Sequence, residues 1–313
     1  MSLIQLLIDG IASGCIYGLV ALGFVLIYKA TETINFAQGD ILMLGAFVAF
    51  SLIGVFELPY ILGFLLTVII IGSFGFALDA VVIRQVIGQP PFATVMLTIG
   101  LGFVFRGFAS IFWGTDIYSF ATPFSGKITE FNGLIISYVN LSIIVGTMVL
   151  MTGLYLFFSL SKIGVAMRAS SENQLAAYYM GIPVKLIFSL IWAISAGVAA
   201  VAGVLLAPIT LVDTSISLIG LKAFAAAVLG GFGSIPGAIV GGIIIGVVEQ
   251  LCGTYENYLF EGIREISAYL VLLLVLIIYP RGLFSDKAEV KNCLLYTSPS
   301  PRDAIPSRMP SSA

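Results

Sequence analysis

The chain has 313 residues, 59% of them hydrophobic and 10% charged, against roughly 25% charged in an average soluble domain, and that balance excludes a water-soluble fold. A formal net charge of −2 offers no basic surface for nucleic acid. The absence of histidine and the wide separation of Cys15, Cys252 and Cys293 remove zinc ligation and histidine-assisted catalysis, so neither cofactor nor metal is expected.

A bilayer core about 30 Å thick needs roughly 20 apolar residues per helix. In chain order, spans are expected over Leu3–Tyr28, Ile41–Phe56, Tyr60–Ile83, Phe92–Trp113, Leu134–Phe158, Leu186–Pro208, Leu218–Gly231, Pro236–Cys252 and Ile266–Tyr279. The expected fold is an all-α, polytopic transmembrane bundle of eight to ten spans. Ile41–Phe56, Leu218–Gly231 and Ile266–Tyr279 are short, which leaves room for re-entrant half-helices. The first span lacks a basic leader and a small-residue cleavage site, so it reads as a retained helix. No long hydrophilic stretch interrupts the spans, so any catalytic or ligand-capturing domain is expected on another chain.

Basic residues in short loops stay cytoplasmic. Arg84, the joint with Lys162, Arg168 and Lys185, and the end with Arg281, Lys287 and Lys291 therefore share one side. Nine crossings with the N-terminus outside satisfy this. Lys222 falls near the outer side and is expected to snorkel.

Four segments carry information. The polar stretch Thr31–Asp40 reads as a loop whose Asp40 caps the next helix, or as a helix start inside the membrane that offers its dipole to an anionic group such as a carboxylate. Asn35, Gln38, Gly39 and Asp40 are thus candidates for a translocation pathway. Arg106, deep in a span, joins them, because ionisable residues there are costly. Asp9, Asp79 and Glu249 lie nearer span ends and read as structural.

The joint Ser161–Pro183 is expected to hold a short amphipathic helix capped by Ser170 or Ser171, with small Ala176 and Ala177 allowing close approach and Gly181 ending it. Docking into a partner's groove and lying on headgroups fit it equally well. The stretch Phe224–Gly246 carries glycines four apart, Gly233, Gly237, Gly241, Gly242 and Gly246, and reads as a helix-packing interface. Its glycine-rich turn lacks the Lys-Ser/Thr pair of a nucleotide-binding loop.

The fourth segment is the end. Composition breaks after Asn292. The run Cys293–Asp303 resembles the translation of a transposase-type sequencing adapter, and Ser307–Ala313 the flow-cell end of the same adapter. Residues 1–292 are expected to form the transmembrane domain and residues 293–313 to be an artefact.

These segments, in this order, resemble the permease subunits of ABC importers for branched-chain amino acids, and the chain is similar to the shorter, LivH-like partner. The resemblance rests on Gly18–Gly23, Ile34–Asp40, Arg168–Ala169 through Glu172, Ala176–Ala177, Gly181–Ile182, Val201–Leu206 and Lys222–Gly242. It implies half of a translocation pathway in a bacterial or archaeal inner membrane. It also implies a second permease subunit, two cytoplasmic ATP-binding subunits and an extracytoplasmic substrate-binding protein. Arg168, Ala169, Glu172, Ala176, Ala177 and Gly181 then become the coupling helix to an ATPase. Gln38 departs from the commoner pattern, where histidine is frequent, and Asn173 stands where aspartate or another polar residue is often found. Permeases for urea or short-chain amides would look similar. A secondary transporter would place titratable carboxylates mid-membrane, and an intramembrane enzyme would need a nucleophile with a base.

Overall fold

A computed structural model describes residues 3–86, 89, 91–120, 122–131, 134–256, 260–279 and 282–284. Arg281, Lys287, Lys291 and the segment 293–313 lie outside the described residues. In chain order the helices are α1 (Leu3–Thr31), α2 (Gln38–Ala49, extended by a π-helical turn Phe50–Val55), α3 (Tyr60–Val81), α4 (Pro91–Trp113), α5 (Tyr138–Leu160), α6 (Lys162–Glu172), α7 (Gln174–Tyr179), α8 (Val184–Leu206), α9 (Ile219–Gly230, entered through a 3-10 turn Thr214–Leu218), α10 (Ile235–Thr254) and α11 (Ile263–Ile278). Seven of these stretches, α1, α2 with its extension, α3, α4, α5, α8 and α10, are long and apolar enough to cross a bilayer.

A helix that is apolar on every side has no face to give to water and settles at the centre of a bundle. Here α1 and α8 take that place. α1 packs on α10, α8, α9 and α5, while α2 and α3 lean on α8. The outer helices α3, α4 and α5 turn large apolar side chains outward, among them Ile61, Ile111, Phe103 and Leu160. Without a hydrophobic drive between helices in lipid, close packing has to hold them together, and small residues supply it. A Cβ on Gly14 would come within 2.6 Å of Ile243 Cα, and one on Gly246 within 2.5 Å of the Gly10 carbonyl.

Two of the short spans are short because they begin inside the bundle. Gln38 Nε2 donates to the Ser195 carbonyl at 3.2 Å, and Ser195 Oγ donates to the Gly23 carbonyl at 3.0 Å. Ser195 stands midway along α8, a 23-residue helix roughly 34 Å long. α2 therefore starts at half depth. A Cβ on Gly220 would lie 2.6 Å from Gly39 Cα, so α9 starts at the same level and runs the other way. It ends beside the start of α10, near Gly237, where Lys29 Nζ at the end of α1 donates to the Gly233 carbonyl at 3.4 Å. Two helix N-termini thus meet in the middle of the bundle.

One expected span is corrected. Leu134–Ser137 is a strand paired antiparallel with Ile128–Phe131, and the helix begins only at Tyr138. A short apolar run does not reveal by itself whether it opens a helix or closes a hairpin. Here Ser137 settles the boundary, because its side chain accepts from Val139 N at 3.3 Å and caps α5.

Candidate functional site

The five pathway candidates fall together at half depth, but not as the loop reading expects. Asp40 is not a cap: α2 is preceded by Ala37, which makes no side-chain cap bond. Asn35 does the local work, its Oδ1 accepting from Ala37 N at 3.1 Å and its Nδ2 donating to Gln38 Oε1 at 3.2 Å. Asp40, in the first turn, instead accepts from Arg106 Nε on α4 at 2.6 Å. Gly102 on α4 makes room for the Asp40 carboxylate, which stands where a Cβ there would be. Gly39 is not open to an anion, since the Ser217 carbonyl and Gly220 close on it. The start of α2 is therefore sealed, and the charge at this level belongs to the ion pair.

The register of α2 against α4 fixes that pair. About two turns further along both helices, Phe47 stacks on Trp113 with centroids 5.2 Å apart. The helices run parallel, so Asp40 and Arg106 must meet where they do. The Asp40 side chain is 3% exposed and the Arg106 side chain 38% exposed. The guanidinium lies 5.5 Å from the Phe103 ring centroid, close enough for a cation–π contact.

A second buried cluster corrects the reading of Lys222. It does not snorkel: its Nζ donates to Glu249 Oε1 on α10 at 2.8 Å. Tyr17 donates to Glu249 Oε2 at 2.6 Å, and Arg264 lies 3.6 Å away. Glu249 is buried and ties α1, α9, α10 and α11 at one point. Asp79 is likewise buried, accepting from Ser189 Oγ at 2.6 Å with Arg84 at 3.6 Å. Asp9 accepts from Asn140 Nδ2 at 2.6 Å.

At the basic end, the expected single helix from Arg168 to Gly181 is two helices. α6 carries Arg168, Ala169 and Glu172, while α7 carries Ala176 and Ala177. The break is Asn173, whose extended backbone stops α6 and whose side chain accepts from Ala176 N at 2.9 Å to cap α7. Ser161 caps α6, not Ser170 or Ser171. Gly181, with φ near +82°, turns the chain away. Ala177 is buried against its own chain, whereas Leu175, Tyr178, Tyr179 and Met180 are exposed. Arg168 leans back, its Nη2 donating to the Phe158 carbonyl at 3.4 Å.

The glycine stretch serves two neighbours. Gly237 and Gly241 abut α9, Gly242 and Gly246 abut α1, and a Cβ on Gly233 would meet nothing within 4 Å. Gly233 is thus removed from the packing set. Among the described residues, no group of three or more metal-ligating side chains comes together. Ser195, Ser217, Gly102 and Gly220 complete the half-depth site without any mark in the sequence, because each acts through a partner far along the chain.

A family model described as "Branched-chain amino acid transport system / permease component" matches residues 6–279. The high-affinity branched-chain amino acid transport system permease protein BraD of Pseudomonas aeruginosa is 32% identical over 294 residues, covering 90% of this chain and 95% of BraD. The corresponding protein LivH of Escherichia coli (strain K12) is 31% identical over 294 residues, covering 90% and 94%. Among solved structures, PsaBC from Streptococcus pneumoniae in complex with Fab covers 89% of this chain and 91% of its own at a TM-score of 0.45 and 15% identity, a likeness too loose to bear on the site.

Proposed function

The chain belongs to the family of branched-chain amino acid transport permeases, and from that premise we propose that it is one half of the translocation pathway of an ATP-driven importer for branched-chain amino acids. The observation that carries this reading is similarity to such permeases along nearly the whole chain. Its partners are a second permease, two ATP-hydrolysing subunits on the cytoplasmic side and an external binding protein. The basic end, with Arg84, Lys162, Arg168 and Lys185, faces the cytoplasm of a bacterial or archaeal cell.

The ATPase docks on α6 and α7. An exposed apolar row on a short helix suits a groove in a partner, and Leu175, Tyr178, Tyr179 and Met180 form that row, with Arg168, Ala169, Glu172, Ala176 and Gly181 around it. The half-depth residues Asn35, Gln38, Gly39, Asp40 and Arg106 belong to the pathway, the first three shaping the helix start and the last two carrying its charge. Residues 1–292 form the permease domain and residues 293–313 derive from adapter sequence. Sequencing the gene from an independent library is expected to lack that segment.

The test is enzymatic. The purified chain alone is expected to hydrolyse no ATP, and the complex with its two ATPase subunits to hydrolyse ATP faster when substrate-loaded binding protein is added. ATP hydrolysis by the chain alone, or a complex indifferent to the binding protein, would contradict the assignment.

A further inference from the structure

A charged pair at half depth is expensive, and its surroundings say what it is kept for. Arg106 and Asp40 neutralise each other through one bond, Nε to Oδ1 at 2.6 Å. That leaves the far side of the guanidinium: among the described residues, neither terminal nitrogen of Arg106 has a protein partner within hydrogen-bonding distance. Asp40 is buried with its carboxylate against Gly102, yet the Arg106 side chain is 38% exposed. Exposure of the four unsatisfied N–H groups on its terminal nitrogens to hydrocarbon costs several kcal/mol. An arginine at such a place faces a partner surface or a water-filled path.

We propose that Arg106 takes the carboxylate of the transported amino acid at the middle of the membrane. The proposal rests on the importer reading above and adds the contact that reads the substrate's charged end. The free edge of a guanidinium presents two N–H donors in a plane and matches a carboxylate in bidentate geometry. Asp40 is the positioning residue: it holds Nε, keeps the empty site close to neutral, and aims the fork outward. The phenyl ring of Phe103 braces the guanidinium from one face. Carboxylates are therefore favoured over urea or amides, which cannot pair with the cation.

The experiment uses the complete importer reconstituted in vesicles with its binding protein, with wild-type leucine uptake as the control for the importer reading itself. Arg106→Lys keeps the charge opposite Asp40 and so the fold, but it loses the fork. Asp40→Asn with Arg106→Gln removes both charges and leaves neither buried alone. Both complexes are expected to assemble and to take up leucine at least about tenfold more slowly than wild type. Uptake within twofold of wild type by either assembled complex would overturn the proposal. A second readout does not depend on rate: Asp40→Asn with Arg106→Cys, with Cys15 and Cys252 replaced by serine, is expected to react with a water-soluble thiol reagent. Failure to react under conditions that label an exposed loop cysteine would place the position against lipid or a partner helix, and would equally overturn it.

Discussion

Lys222 and Glu249 carry a lesson about single residues. An isolated lysine near a span end looks like one that reaches for water, and nothing within a helix turn of Lys222 suggests otherwise. Its partner stands on the next helix, so the pairing becomes visible only once α9 lies against α10. Arg106 is different, since its depth alone marks it as unusual, although its partner Asp40 is equally remote in sequence. Removing one member of a buried pair leaves the other uncompensated, at a cost of about 3 to 5 kcal/mol. Glu249→Ala is expected to lose stability of that order in thermal unfolding in detergent, because Lys222, Tyr17 and Arg264 all lose their acceptor. Lys222→Met together with Glu249→Gln should cost markedly less than the sum of the single changes. Strict additivity would mean that the pair does not couple.

At the scale of elements, helix content and most span boundaries follow from apolar length, and the shortness of Ile41–Phe56 and Leu218–Gly231 already leaves room for helices that start inside the bundle. What apolar length cannot reveal is that the two starts meet, because that depends on Gly39 and Gly220 coming into contact across the bundle. The joint at the basic end was legible as helical but not as two helices. The break depends on Asn173 capping forward rather than continuing α6. Asn173→Ala is expected to cost about 1 kcal/mol of α7 stability and to speed amide exchange in Gln174–Tyr179 while leaving α6 protected. Equal protection of both helices would mean that the cap is not what separates them. The glycine stretch gives a sharper contrast. Gly246→Ala forces a methyl into the backbone of α1 and is expected to lose about 2 kcal/mol. Gly233→Ala, with open space around it, should stay within about 0.5 kcal/mol of wild type. Thermal unfolding of the two variants side by side reads the difference, and similar losses in both would contradict the assignment of faces.

For the molecule as a whole, composition alone excludes a soluble fold. The structure adds a reason for partnership from within. Arg106 is exposed at half depth on one face, and the apolar row of α7 is exposed at the basic end. Each surface is costly or idle in an isolated chain. Two changes in the α7 row, Tyr179→Glu and Met180→Glu, are expected to abolish co-purification of the ATPase subunits without altering the melting of the permease itself; retained co-purification would move the docking surface elsewhere. The central claim is that this chain is a passive half of a driven importer. Leucine uptake into vesicles tests it most directly, comparing the complete ATP-supplied assembly with the chain alone under an imposed proton gradient. Accumulation only in the complete assembly, and only with ATP, is the predicted result; accumulation by the chain alone on the proton gradient would contradict it.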